Sequence, residues 1–115
     1  MMTLKTRWAE AAMCDLPLPE YPRPQMVRDC WMNLNGFFDF AITDDDEDWC
    51  DEYTDKIRVP FAVESCLSGI CKRVDDDDLL WYRKKFTLTD EFNGKRVLLH
   101  FEAVDWKTTV YVNGE

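Results

Sequence analysis

Positive charge is in short supply in this sequence: 14 Lys+Arg stand against 23 Asp+Glu, a net charge of −9 at pH 7. Nucleic acid needs a basic patch to meet its phosphates, so it is not an expected partner. Long apolar runs are missing too, and nothing approaches the roughly 18 apolar residues that would suggest a membrane span. The start of the chain holds only the interrupted patch Trp8-Ala9-Glu10-Ala11-Ala12-Met13, too short and polar for a signal-peptide core. A cytoplasmic protein without a membrane partner is therefore expected. The five cysteines (Cys14, Cys30, Cys50, Cys66, Cys71) include no CxxC pair. Being odd in number in a chain with no secretory signal, they are expected as free thiols, with incidental oxidation as the rival. No second Cys/His pair accompanies Cys66 and Cys71 to complete a zinc site, so neither metal nor cofactor is expected.

Histidine and glycine are scarce as well. His100 is the single histidine, and it falls on the side of its segment opposite Val97, Leu99 and Phe101. No nucleophile elbow lies near it, and Ser65, Cys66 and Ser68 beside Gly69 lack the Gly-x-Ser-x-Gly context that strains a nucleophile into reactivity. The four glycines build no phosphate cradle. At 115 residues the chain suffices for one compact domain. A (β/α)₈ barrel, at about 200 residues or more, is out of reach.

Aromatics, in contrast, are plentiful. Five Trp, four Tyr and seven Phe are too many for a chain kept disordered by its composition. Four of the five prolines (Pro17, Pro19, Pro22, Pro24) fall between Leu16 and Arg28, where they remove backbone donors and enforce extended geometry. That segment is expected to be a non-helical leader lying along the surface of the domain C-terminal to it. Beyond it the signals are those of strands. Phe38, Phe40 and Ile42 alternate with Asp39 and Ala41, and Lys56 to Val59 alternates until Pro60. Leu80 to Leu88 sets Leu80, Tyr82, Phe86 and Leu88 against Trp81, Arg83, Lys85 and Thr87; Lys84, on the apolar side, implies a bulge or a snorkelling ammonium. Arg96–Phe101 and Lys107–Val112 complete the series. Apart from a short turn near Trp8–Met13 no helix is expected, and the class is all-β.

Three of the glycines follow asparagine: Asn35-Gly36, Asn93-Gly94 and Asn113-Gly114. Asn-Gly favours the two-residue hairpin turn, which needs positive φ at both central positions. Asn93-Gly94 is expected to join two strands. Asn113-Gly114 follows a third strand and has only Glu115 after it, so a returning strand is expected to be missing and the sandwich incomplete. The other reading makes Lys107–Val112 an edge strand with a frayed tail.

The carboxylates offer little chemistry at this level. In the run Asp44-Asp45-Asp46-Glu47-Asp48 an EF-hand would use Asp44, Asp46 and Asp48, but it needs Gly where Trp49 stands and Glu where Asp55 stands. A solvated loop is expected there and at Asp75-Asp76-Asp77-Asp78, with a weak adventitious Ca²⁺ site left open for either. A glycosidase needs an acid and a nucleophile about 5–5.5 Å apart. Glu64, Glu102 and Asp105 lie nearest the expected strands, but spacing alone does not pair them. No catalytic, substrate-binding or metal-ligating residue is assigned.

The order of elements nevertheless resembles a known family. Tyr21-Pro-Arg-Pro-Gln25, Trp31-Met-Asn-Leu-Asn-Gly36, Val59-Pro-Phe61, Glu64-Ser65, Leu67-Ser-Gly69, Leu80-Trp-Tyr-Arg83 with Phe86, Gly94 to Phe101, Ala103 to Trp106 and Val110-Tyr-Val-Asn-Gly114 succeed one another. This succession resembles the N-terminal sugar-binding domain of glycoside hydrolase family 2, the β-galactosidases, β-glucuronidases and β-mannosidases. The resemblance implies a jelly-roll, galactose-binding-like β-sandwich over residues 21–115, preceded by a leader over residues 1–20. It implies a parent protein that hydrolyses terminal β-linked sugars with retention, its two catalytic glutamates in a barrel this chain does not contain. The chain alone would be non-catalytic, with carbohydrate and the missing C-terminal domains as partners. A stand-alone carbohydrate-binding or protein-interaction module is the alternative. In some members of the family a loop of this domain reaches the active site and helps hold the sugar, which by resemblance points to the loop between Ser65 and Leu79, containing Asp75–Asp78, without assigning any one residue; Trp81 is expected to pack within the sandwich rather than stack on a sugar.

Overall fold

Alternation over Phe38–Ile42 gives one strand two unlike sides, and the sheet is built around it. In this computed structural model, which describes residues 5–44, 46 and 48–115, β1 runs Gly36–Asp44, β2 Asp55–Val59 and β3 Asp78–Arg83. Both outer strands pair antiparallel with β1, in the order β2-β1-β3. The register sets Phe38 opposite Ile57, Phe40 opposite Tyr82 and Ile42 opposite Leu80, so the expected apolar residues share one face. Phe40 and Ile57 are fully buried there and Val63 nearly so, with Phe38, Ile42, Val59, Ile70 and Val74 packed around them. The Phe40 and Tyr82 rings meet edge to face at 5.1 Å. The loop after β2 thus folds over the sheet to form the core. Each fully buried Phe or Ile side chain contributes about 1.5–3 kcal/mol relative to exposure. The described residues are β-rich, with one short α-helix among them, α1 (Ala9–Ala12), where the Trp8–Met13 turn is expected.

Asparagine side chains anchor the proline-rich leader. Asn35 Nδ2 donates to Pro17 O at 3.1 Å and Asn33 Nδ2 to Leu18 O at 3.0 Å, while Pro17 itself is fully buried. Asn33 Oδ1 also accepts from the Asn35 N–H at 2.8 Å, which fixes the turn that feeds β1. Gly36 is not the second residue of a hairpin turn, although the Asn35-Gly36 pair suggests one. It opens β1 with φ +112°, and a side chain there would strike the Asp15 carbonyl oxygen. The segment is non-helical apart from a single 3₁₀ turn, Pro24–Met26, but it is not extended throughout: the chain bends at 16–18 and Leu18 has φ 51°.

The C-terminal third departs from the expected strands. β3 stops at Arg83, and among the described residues neither Arg96–Phe101 nor Lys107–Val112 joins a ladder. Their apolar members Val97, Leu99, Phe101, Val110 and Val112 are all exposed, as are Phe86 and Leu88. Alternation supplies one apolar side, but a strand persists only when an edge is paired and that side covered. Asn93-Gly94 is a turn of another kind: Asn93 has φ −60° and ψ 129°, Gly94 has φ +72°, and Lys95 N–H donates to Phe92 O at 3.1 Å. That is a type II turn, with only its second residue at positive φ. Asn113-Gly114 does form the two-residue hairpin turn, with φ 55° and 89°. Val112 and Glu115 exchange backbone hydrogen bonds of 2.9 and 3.2 Å across it.

Cysteine usage also differs from expectation. Cys66 and Cys71 are joined in a disulfide, while Cys14, Cys30 and Cys50 carry free thiols. The odd total concealed a local pair, since pairing depends on where the loop turns rather than on parity. Among the described residues no helix is long and apolar enough to cross a membrane.

Candidate functional site

The face of β1 opposite the core carries Phe37, Asp39, Ala41 and Thr43, and the register brings Lys56 of β2 and Arg83 of β3 to either side of Asp39. Lys56 Nζ lies 3.1 Å from Asp39 Oδ1, and Arg83 donates through Nε and Nη2 to Oδ2 at 3.1 and 3.0 Å. These hydrogen bonds, Arg83's foremost and then Lys56's, hold the Asp39 carboxyl below its ordinary value of 3.8. Asp39 is therefore an acceptor at neutral pH and not a proton donor. Arg83 also stacks on Tyr53 at 4.1 Å, and Lys84 reaches back to Phe37 O at 2.8 Å with its ammonium 5.0 Å from the Phe38 ring. Neither outcome expected for Lys84 within a strand applies, because β3 ends one residue earlier at Arg83 and the ammonium bonds the Phe37 carbonyl instead. Phe37, Asp39, Lys56, Arg83, Lys84 and Lys85 line a shallow hollow of about 180 Å³, a local surplus of positive charge on an acidic chain. Asp39, Lys56 and Arg83 were legible one by one as polar-side residues; grouping them required the register.

Farther along the same face Trp81 is half-buried. Its indole N–H donates to Thr43 Oγ1 at 2.8 Å and its ring meets Trp49 edge-on at 6.0 Å; Trp49 in turn meets Tyr111 at 5.1 Å. Trp81 thus makes its contacts with its own chain, through Thr43 and Trp49.

The loop between Ser65 and Leu79 is closely bonded. Ser65 Oγ accepts from Leu67 N–H at 3.2 Å. The Ser68 hydroxyl, fully buried, lies 2.7 Å from Ser65 O and 3.1 Å from Val63 O and accepts from Ile70 N–H at 3.0 Å. The acidic run closes into a turn that opens β3: Asp75 N–H donates to Asp78 Oδ2 at 2.8 Å, and Asp78 N–H to Asp75 O at 3.1 Å. In the earlier run Asp46 and Asp48 are exposed, while Asp45 and Glu47, like residues 1–4 of the leader, lie outside the described residues. Among the described residues no three His, Cys, Asp or Glu gather as a metal site would require.

The remaining carboxylates are scattered. Glu102 is exposed and faces Arg23 at 3.5 Å, Asp105 is exposed in the C-terminal third, and Glu64 lies near Tyr82. Burial, and then the charge of Glu64, raise the Tyr82 phenol above its ordinary value. His100 is exposed in the same third. A second open hollow, of about 450 Å³, is lined by Phe101, Glu102, Val104, Trp106, Thr108 and Val110.

No known family profile matches the chain. One stretch is nonetheless 37% identical, over 59 residues, to a β-galactosidase of Thermoanaerobacter pseudethanolicus. The chain is similar to part of a glycosidase. The match covers 51% of this chain and 8% of that β-galactosidase, so the chain spans a small fraction of the relative it resembles.

Proposed function

We propose that this chain is a non-catalytic, N-terminal portion of a family 2 glycoside hydrolase, belonging over residues 21–115 to its sugar-binding β-sandwich. The parent polypeptide would hydrolyse terminal β-linked sugars with retention, through two carboxylates carried in another domain. The observation that supports this most is the 37% identity to a β-galactosidase over 59 residues. Two structural features agree with it. The three-stranded sheet is β-rich and covered on its core face by its own loop. The exposed alternating residues of 96–101 and 107–112 have the pattern of strands that take their ladder and cover from a larger sandwich. Carbohydrate and the further domains of the same polypeptide are the partners this reading supplies.

The test is enzymatic. The 115-residue chain, incubated with chromogenic β-galactoside, β-glucuronide and β-mannoside, is expected to turn over none of them. An in-frame polypeptide extended through a barrel is expected to cleave one. Turnover by the short chain, abolished by substituting Glu64 or Glu102, would move the chemistry into this chain and overturn the proposal.

A further inference from the structure

Cys66 and Cys71 bound the stretch Cys66-Leu67-Ser68-Gly69-Ile70-Cys71 in the loop that covers the core. Their Cα atoms are 4.6 Å apart, within the span of about 4.4–6.8 Å that a disulfide bridges. What brings them together does not depend on sulfur. Ser65 caps the turn over Cys66–Ser68, and Gly69 reverses the chain at φ 86°. The Ser68 hydroxyl ties Ile70 back to Ser65 and Val63. Arg58 of β2 donates to Leu67 O at 3.0 Å, and Ile70 and Val74 pack against Phe40 and Ile57. These contacts hold the ends of the loop close without drawing on the S–S bond, which favours closure as an intramolecular encounter.

Position separates this pair from the other cysteines. Cys50 is buried with its thiol on Glu52 O, Cys30 rests on Glu91 O, and Cys14 is exposed. Cys71 is exposed and Cys66 half-buried, so a small reagent can reach the pair.

We propose that Cys66 and Cys71 form a reversible dithiol–disulfide site, a redox clasp on the loop covering the core of the sheet. The oxidant is a low-molecular-weight disulfide. The Cys71 thiolate attacks one of its sulfurs, forming a mixed disulfide and releasing one small thiol. The Cys66 thiolate then attacks the Cys71 sulfur and releases the second. The protein gives up two electrons and two protons, and the small disulfide becomes two thiols. An excess of small dithiol runs the sequence backwards. Because the hydrogen bonds of Ser65, Ser68 and Arg58 hold the loop in either state, opening the clasp loosens the loop without dismantling the sheet. This inference stands apart from the glycosidase reading.

The test equilibrates the full chain with oxidised glutathione, quenches it with acid, and maps its thiols by mass. The expected product has Cys66 and Cys71 in one linked peptide, two hydrogen atoms lighter than its reduced form and carrying no glutathione on either cysteine, whatever the exposed Cys14 thiol takes up. Excess dithiothreitol under native conditions restores both thiols. In Cys66→Ser the resolving thiol is gone, and Cys71 is expected to retain glutathione. In concentrated denaturant, where the loop contacts are lost, ring closure is expected to slow by about tenfold or more. Glutathione persisting on both cysteines without a linked peptide would overturn the proposal. So would a closure rate unchanged by denaturant, or a bond that native dithiothreitol leaves intact.

Discussion

Phe40 and Leu99 occupy similar stretches of sequence, each flanked at two-residue spacing by further apolar residues. Phe40 is fully buried at the centre of the sheet; Leu99 is 48% exposed and joins no strand. The difference lies in what surrounds each segment. β1 is flanked by a strand on both sides, and the loop through Val63, Ile70 and Val74 closes over its apolar face. Residues 96–101 have neither a ladder nor a cover among the described residues. Alternation specifies which side of a strand is apolar, whereas pairing and cover decide whether the strand exists. The sharpest test of this contrast is a pair of truncations. Phe40→Ala is expected to cost about 3–5 kcal/mol, enough to unfold a sheet this small, while Leu99→Ala stays within about 0.5 kcal/mol. Denaturant titration followed by tryptophan fluorescence measures both, and equal costs would mean that the C-terminal third packs in solution as the sheet does.

Two glycines, one opening β1 and one in the C-terminal turn, invite a second comparison. Gly36 and Gly114 both have positive φ, but only Gly36 has a neighbour, the Asp15 carbonyl, where a side chain would go. Gly36→Ala is expected to cost about 2–3 kcal/mol, combining the backbone penalty with displacement of the leader. Gly114→Ala should cost only the backbone part, about 1–2 kcal/mol in the local turn. Amide exchange at Leu18 and in β1 reports the difference. A smaller effect is expected at Asn35→Ala, about 1 kcal/mol, because the Pro17 carbonyl loses its donor while its other neighbours remain. Limited proteolysis of the leader, faster in the variant, checks it.

The core of the sheet was legible from sequence because one variable, the alternation of Phe38, Phe40, Ile42 and Ile57, specifies both the strand and its buried side. The strand-breaking prolines of the leader were equally plain. What escaped detection depends on distance in the chain. Asn-Gly pairs identify turns, but hairpin pairing around Asn93-Gly94 requires strands that persist on both sides, and they do not. Gly36 looked like a turn residue because its true constraint, the carbonyl of Asp15, lies 21 positions earlier in the sequence. The Cys66–Cys71 pair was hidden by the odd cysteine total. Of the candidate site, its polar residues could be named individually. Their meeting around Asp39 depends on a register that spans 17 residues to Lys56 and 44 to Arg83.

That cluster yields a small predicted effect, and the one with a pH signature. Asp39 is held between Lys56 and Arg83, and both lower its pKa below the ordinary 3.8. The unfolded chain has the ordinary value, so above it the carboxylate stabilises the fold in full. As the pH falls through 3.8 the unfolded chain takes up the proton first, and the contribution fades until it is gone below the lowered native value. Exposure of the two cations to solvent keeps the effect under about 1 kcal/mol. Asp39→Asn is therefore expected to be slightly less stable than the parent at neutral pH. The two should converge as the pH drops below the carboxylate range, and both should lose their difference in high salt. Denaturant midpoints measured across pH 2–7 at two ionic strengths, for the parent and the variant, carry the test. A gap that stays constant to the acid end would assign the loss to β1 packing and remove the charge cluster from the account of how β2 and β3 are held to β1.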